Sequence, residues 1–381
     1  MTKYLHIVSF DIPYPANYGG AIDVFYRIKA LHDAGINVIL HCYYKGELHH
    51  ESVLENLCYK VYYYKRRTTI WQNFSLYPYA VESRPAKELL QHLLDDKFPI
   101  LFEGLVCSRL IDHKALNDRQ RFFRECNVEH DYYRSLAKAS SSLIRKIYFC
   151  ADAVKLYFFE RKLEKATAIF ALSHKDEAHF LECYPNVPTV YLPCFHAHEN
   201  ISALAGKGDY VLYHGNLSLA ENDRAAQYVV SHISAQLPEI PFVIAGFRAT
   251  KKLRSLIQKH SNVTLVDTPS EEQMNDLIMN AQVHLLITFQ ATGLKLKLLN
   301  VLYSGRYVVV NPLMVAGTEL SNLCAIGSDD SQLVELCRLY YSKFFTEEDI
   351  AERRQLLNST FSNKHLVATL IQNFAPFTIE K

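Results

Sequence analysis

What this chain lacks narrows its function more than its bulk composition does. Nine cysteines occur in 381 residues, an odd number, and no Cys-x-x-Cys pair is among them. That argues against a disulfide framework and for reduced, mostly buried thiols in a cytoplasmic protein. Charge of neither sign dominates: 41 Lys and Arg against 40 Asp and Glu leave +1, so no nucleic-acid partner is expected. No apolar run approaches the roughly 20 residues of a membrane-spanning helix. The first residues run directly into strand-like Leu5–Phe10, so no signal peptide is expected either. Three ligand signatures are missing: the Gly-x-Gly-x-x-Gly dinucleotide fingerprint, the Gly-Lys-Ser/Thr phosphate loop, and an Asp-x-Asp clip for a metal–diphosphate complex. His49-His50 and His196-Ala-His198 have no cysteine or carboxylate at usual ligand spacings, so no metal is expected there.

What is present is an α/β rhythm. Half of the residues are hydrophobic, and the length favours two domains. Short β-branched or aromatic runs alternate with longer helical patterns, which predicts parallel sheets with crossover helices. Strands are expected at Leu5–Phe10, Val38–Tyr43, Lys60–Tyr64, Pro99–Glu103, Arg121–Cys126 and Ala168–Leu172, with helices at Ala21–Asp33 and Ser141–Lys165. The proline-marked stretch from Tyr184 to Pro193, with the polar residues after it, reads as an interdomain connection. The rhythm restarts at Tyr210–Tyr213 and continues through strands at Phe242–Ala245, Val263–Val266, Val283–Ile287 and Tyr307–Val310. Two doubly wound Rossmann-like domains facing across a cleft are predicted, 1–197 and 198–360. C-terminal helices follow, with 361–381 crossing back to the first domain.

The most informative stretch is Gly293-Leu294-Lys295-Leu-Lys297 through Asn300 to Gly305, followed by Val308–Val310. A helix starting on a glycine presents unpaired N–H groups and its dipole to an anion, and two lysines reinforce that. A phosphate-bearing ligand is the first expectation. Near the N-terminus, Gly19-Gly20 follow the first strand where open α/β sheets bind ligands, though a plain turn explains them equally well. Gly215-Asn216 end the next domain's first strand, and Arg248 lies just past Gly246, either gripping a diphosphate or simply solvated. Glu129 and His130 sit at a strand-to-helix junction able to exchange protons with a hydroxyl. The bland reading is that Asn127 caps that helix and Glu129 satisfies its dipole. The aromatic, basic helix within 143–163 is read as packed with a solvated basic face rather than lying on a membrane.

This ordered set resembles the GT-B glycosyltransferases, specifically retaining family 4 (glycosyl transferases group 1), over nearly the whole chain. The residues carrying the resemblance are Pro13 to Ala34 with Gly19-Gly20, Asn127-x-Glu129, Ala171-Leu-Ser173, Gly215-Asn216 with Asn222, Ala245-Gly246, and Gly293 through Gly305. The resemblance implies a nucleoside-diphosphate-sugar donor bound by Gly215, Asn216, Arg248 and Thr292 to Asn300. It also implies a glycan or lipid-linked acceptor and a front-face, metal-independent transfer without a cofactor. The family's glutamate pair seven residues apart falls on Thr292 and Asn300 here. Glu129 and His130 would serve the acceptor, Gly19 and Gly20 the diphosphate. A cytoplasmic protein, peripheral at the inner face of the membrane, in polysaccharide or lipopolysaccharide biosynthesis is the expectation. A nucleotide-sugar epimerase on the same architecture, or a non-catalytic glycan-binding relative, remain the alternatives.

Overall fold

The structure, a computed structural model, describes residues 3–140, 142–289 and 296–374. The chain divides into two compact units: residues up to Ala197 together with the segment from Phe361, and His198–Thr360.

The first unit holds a seven-stranded sheet: β1 (Lys3–Ser9), β2 (Ile36–Tyr44), β3 (Lys60–Lys65), β4 (Ile100–Glu103), β5 (Arg121–Arg124), β6 (Ala168–Ala171) and β7 (Thr189–Tyr191). Their order is β3-β2-β1-β4-β5-β6-β7, every neighbouring pair parallel. Period-two alternation sorts the strand side chains into two buried layers. Leu5 and Ile7 of β1 and Val38 and Leu40 of β2 meet Val24, Ile28 and Leu31 of the helix Gly19–Asp33. Leu366 and Leu370 of the helix Asn363–Gln372 join the same layer, which explains why the chain's last described segment belongs to its first unit. Val8, Phe102, Phe123 and Ile169 face the other way, against Leu156 and Phe159 of the helix Leu143–Glu160 and Phe180 of the helix His174–Cys183.

Two readings of this half need correction. The stretch taken for a connection at 184–193 contains β7, paired with β6 from Thr189 to Tyr191. An edge strand needs only one row of hydrogen bonds, so Pro188 and Pro193 flank it without disrupting the ladder. The helix Leu143–Glu160 also departs from a simple basic face, because Leu143, Ile144 and Ile147 are exposed beside Arg145 and Lys146.

The second unit holds β8 (Val211–His214), β9 (Phe242–Gly246), β10 (Val263–Asp267), β11 (Val283–Leu286), β12 (Tyr307–Val310) and β13 (Ala325–Ile326), ordered β10-β9-β8-β11-β12-β13 and parallel throughout. Val211, Tyr213, Ile244, Leu285 and Val309 pack with Ala225, Ala226, Leu333 and Val334 of flanking helices. The helix Leu296–Ser304 buries Leu298, Leu299, Val301, Leu302 and Tyr303. It stops at Gly305, whose N–H donates to the Val301 carbonyl at 2.8 Å. The glycine is required by contact rather than by its dihedrals: a Cβ there would lie 2.0 Å from Nε2 of buried His284.

Candidate functional site

In an open parallel sheet the strand order reverses at one place, and loops leaving the strand ends there diverge to form a crevice. In the second unit that place lies between β8 and β11. Gly215 follows β8, and its N–H donates to the Ala245 carbonyl at 3.1 Å. A Cβ on neighbouring Gly246 would sit 1.7 Å from the Gly215 oxygen, so only glycine permits the two loops to meet. Asn216 closes its own turn, its Oδ1 accepting from the N–H of Ser218 at 3.1 Å and the hydroxyl at 2.6 Å.

Asn222 locks the arrangement. Its Nδ2 donates to the Asn216 carbonyl at 3.1 Å, its own carbonyl accepts from the Tyr213 hydroxyl at 3.1 Å, and its Oδ1 accepts from Lys297 Nζ at 3.3 Å. Lys297 thereby reaches from the helix Leu296–Ser304 to the loop after β8, its ammonium 5.3 Å from the centre of the Tyr213 ring. Beneath it lies His214. Burial, with Lys297 adding to it, pushes His214 down to about 3, so the ring is neutral and the lysine is the local charge.

The two helices at this crevice differ in how their N-termini are filled. The helix Ala220–Tyr228 carries Glu221 and Asp223 in its first turn. Glu221 accepts from the Thr288 hydroxyl just past β11, and Asp223 accepts from Thr250 at 2.7 Å, so these carboxylates occupy that end. The helix Leu296–Ser304 has no acidic residue in its first turn and carries Lys297 there. An anion is therefore favoured at the second helix and opposed at the first. Thr292, Gly293, Leu294 and Lys295, the expected heart of the donor site, lie outside the described residues. Asn300 is half-buried and hydrogen-bonds His198, whose ring stacks on Tyr303 at 5.1 Å. Arg248 is exposed at the end of β9, its guanidinium 4.7 Å from the Phe247 ring centre, with no carboxylate partner among the described residues. Its φ of +53° is left-handed, and its N–H is held by the Thr268 hydroxyl at 3.1 Å.

In the first unit the reversal lies between β1 and β4. The helix Gly19–Asp33 opens here with no side-chain cap and no acidic first turn. A Cβ on Gly20 would meet the Phe10 ring at 2.7 Å, so this glycine has a packing reason. Arg84 donates to the Phe10 carbonyl at 2.9 Å. Gly104, after β4, takes φ +71° and faces Cys126 after β5. The loops after β1, β4 and β5 thus touch one another through Phe10, Gly104 and Cys126.

Glu129 begins the helix that follows β5. Asn127 is not its cap: Val128 holds that position, without any side-chain bond, which corrects the capping reading. The Glu129 carboxylate is buried and makes no hydrogen bond among the described residues. Burial pushes it up to about 7, with Arg84 opposing and Glu160 reinforcing the rise. His130 is engaged instead. Its Nδ1 meets Glu160 at 3.1 Å, and Glu160 also takes His179 at 3.1 Å and the Tyr184 hydroxyl at 3.2 Å. Those imidazoles hold Glu160 down to about 2 against the desolvation of burial. One ligand atom each from His130, Glu160 and His179 lies within 4.8 Å of the others, the donor set a divalent metal would accept.

Two features had no counterpart in the sequence reading. A buried charge cluster joins Arg27 to Asp23 at 2.8 Å and Glu103 at 3.0 Å, with Arg124 at 3.3 Å from Asp23. Burial raises Glu103 to about 7 although Arg27 opposes it, and raises Glu125 to about 8. The available signal was that the apolar run of β4 ends in Glu103, and that β5 sets Arg121 and Arg124 around two phenylalanines in a strand otherwise expected to be buried.

No family model matches the chain. A Klebsiella pneumoniae protein, named only as an uncharacterised 44.6 kDa protein in the cps region, is 25% identical over 332 residues, 82% of this chain and 84% of that one. Among solved structures, TarM superposes with a TM-score of 0.70 at 10% identity, covering 98% of this chain and 99% of its own. Sucrose-phosphate synthase of Thermosynechococcus elongatus gives 0.67 at 14% identity, covering 97% and 98%. HepE of Anabaena, crystallised with UDP and glucose, gives 0.62 at 12% identity, covering 98% and 99%. The chain has the GT-B fold.

Proposed function

We propose that this protein is a retaining, metal-independent glycosyltransferase of family 4 type, moving a hexose from a nucleoside-diphosphate sugar to a glycan or lipid-linked hydroxyl. The observation that carries this reading is the asymmetry at the second unit's crevice. One helix start there is filled by its own carboxylates, while the other carries Lys297 and no acid. The fold shared with HepE, crystallised with UDP and glucose, supports a uridine nucleotide as first probe. The Klebsiella relative named for a cps region supports a role in polysaccharide biosynthesis, and a cytoplasmic place, peripheral at the inner face of the membrane, belongs to the same proposal.

In this reaction the bond between the anomeric carbon and the diphosphate breaks and one to the acceptor oxygen forms on the same face. The acceptor's proton passes to the departing diphosphate. Negative charge grows on the leaving group, so fixed positive groups there lower the barrier. Lys297 is proposed for this task together with Lys295, Arg248 and amides at Gly19, Gly20, Gly293 and Leu294. Gly215 and Asn216 would shape the donor's phosphate turn, and Thr292 and Asn300 would bond sugar and ribose hydroxyls without charge. Glu129 would hold the acceptor hydroxyl, with His130 buttressing the helix that presents it.

Titration calorimetry of the full chain with UDP tests the donor site. Lys295→Ala with Lys297→Ala is expected to weaken binding roughly 100-fold, the scale of two lost charge-assisted bonds. Unchanged affinity would overturn the assignment. Product analysis with and without acceptor separates transfer from epimerisation and from binding alone.

A further inference from the structure

The first unit exposes a concentration of large apolar side chains that neither crevice uses. The helical turn Ile70–Phe74 presents Ile70, Trp71 and Phe74, and Leu76 follows. The start of the helix Leu143–Glu160 presents Leu143, Ile144 and Ile147. Exposure ranges from 63% for Ile147 to 95% for Leu76. The turn is fastened to the middle of the same helix. Lys155 Nζ donates to the Asn73 carbonyl at 3.0 Å, and the Tyr79 N–H donates to Asp152 at 3.1 Å. Patches of this kind mark an interaction surface rather than scattered exposure.

Charge identifies the partner. Stretches 60–81 and 132–151 contain no Asp or Glu, yet carry eight Lys and Arg. Lys65, Arg67, Arg145 and Lys146, which flank or interrupt these apolar runs in sequence, are exposed. In a chain whose net charge is only +1, this is a local excess of one sign. A second copy docking on the same face would set these cations against themselves. Exposed tryptophan and aliphatic residues interspersed with lysine and arginine are instead the composition that settles into an anionic lipid interface.

We infer that this face, centred on Trp71, Phe74 and Ile144, docks the first unit on an anionic bilayer. It deepens the reading of the acceptor as lipid-linked and rests on that reading for its purpose, but not for its test. Apolar side chains enter the headgroup boundary while the cations meet lipid phosphates. No helix among the described residues is long and apolar enough to cross the membrane, so attachment would be lateral and reversible.

The chain carries one tryptophan, and it lies in this face, so its emission reports docking directly. Full-length protein titrated with phosphatidylglycerol vesicles should show a blue shift in Trp71 emission and should co-sediment. Phosphatidylcholine vesicles should give neither. Phe74→Ser with Ile144→Ser keeps the reporter and should weaken vesicle partitioning at least 10-fold; Arg145→Glu with Lys146→Glu should do likewise, with circular dichroism unchanged. No shift with anionic vesicles overturns the inference. So does a lipid-independent shift that grows with protein concentration, which would mean self-association. UDP titration on the same samples keeps the outcomes distinct: intact nucleotide binding without lipid binding sinks this inference alone, and the reverse sinks the donor site alone.

Discussion

The two sheets share one topology, but they furnish their strand ends with opposite chemistry. Around β4 and β5 the first unit concentrates carboxyl groups that burial raises to about 7 or 8, at Glu103, Glu125 and Glu129. Around β8 and β11 the second unit engages its carboxylates with threonines and leaves a lysine over a neutral histidine. One rim suits a group that shares a proton, the other a group that carries negative charge. An enzyme joining a hydroxyl to the sugar of a nucleoside diphosphate needs one of each. On the proposed function, the fold supplies the two crevices and their polar residues assign the acceptor to one and the donor to the other.

Opening the second rim's backbone should have the largest effect. Gly246→Ala puts a Cβ 1.7 Å from the Gly215 carbonyl, and neither partner is a side chain that could turn away. Thermal denaturation should show a loss of more than about 3 kcal/mol, in the tail of single substitutions. Gly46→Ala is the matched control, with φ +85° and nothing within 4 Å of the new methyl. It should cost about 1 kcal/mol from the dihedral alone. Equal losses would mean that the Gly215–Gly246 contact is not what holds the rim.

On the first rim, Glu129→Gln tests whether proton sharing matters. If Glu129 accepts a hydrogen bond from the acceptor, kcat/KM should rise through about pH 7 as its carboxyl ionises. Gln removes that rise and should lower transfer roughly 100-fold, the scale of a lost hydrogen bond to a charged group. A pH profile that keeps its shape in the variant would leave Glu129 a buried spectator.

How much of this was legible in the sequence follows from what periodicity can report. Apolar runs and helical spacing marked most of the strands in both sheets, because burial on both faces writes a continuous hydrophobic signal. The edge strand β7 escaped because its three residues are only half-buried and bounded by prolines. Gly305 was visible as a helix stop, but its contact with His284, 21 residues earlier in sequence, was not. The rims were less legible still. Lys297 was readable as a cation on a helix start, whereas its bond to Asn222 joins positions 75 apart. The buried cluster of Asp23, Arg27, Glu103 and Arg124 spans 101 residues and was written only as two charged strand ends.

A smaller effect separates the rims by stability rather than activity. The Glu125 value of about 8 lies above the ordinary 4.5, so the folded state keeps a proton that the unfolded chain releases between those values. This stabilisation is complete below about 4.5 and is lost as pH rises through 8. Its slope reaches at most about 1.4 kcal/mol per pH unit. Glu125→Gln keeps the neutral form, so denaturation midpoints between pH 5 and 8 should fall less steeply. Glu160, held down to about 2, acts outside this window, since its contribution is lost only as pH drops from 4.5 through 2. A variant whose midpoint tracks pH as the parent does would show Glu125 ionised throughout.

The smallest expected effect lies at Arg248, where strain and function pull apart. A non-glycine residue at φ +53° costs about 1 kcal/mol relative to glycine, while stacking of its guanidinium on exposed Phe247 returns about 0.5–1 kcal/mol. Arg248→Gly relieves the strain and loses the stacking, so its net stability change should be close to zero. Arg248→Ala loses the stacking and keeps the strain, and should be less stable than the Gly variant by about 1 kcal/mol. If the guanidinium meets the diphosphate, both variants should weaken UDP binding by the same factor, of order 10 for one charge-assisted bond. Equal loss of affinity with unequal stability would mark the strain as tolerated for the sake of the ligand. Unequal stability with unchanged affinity would mark Arg248 as a solvated side chain on a tight turn.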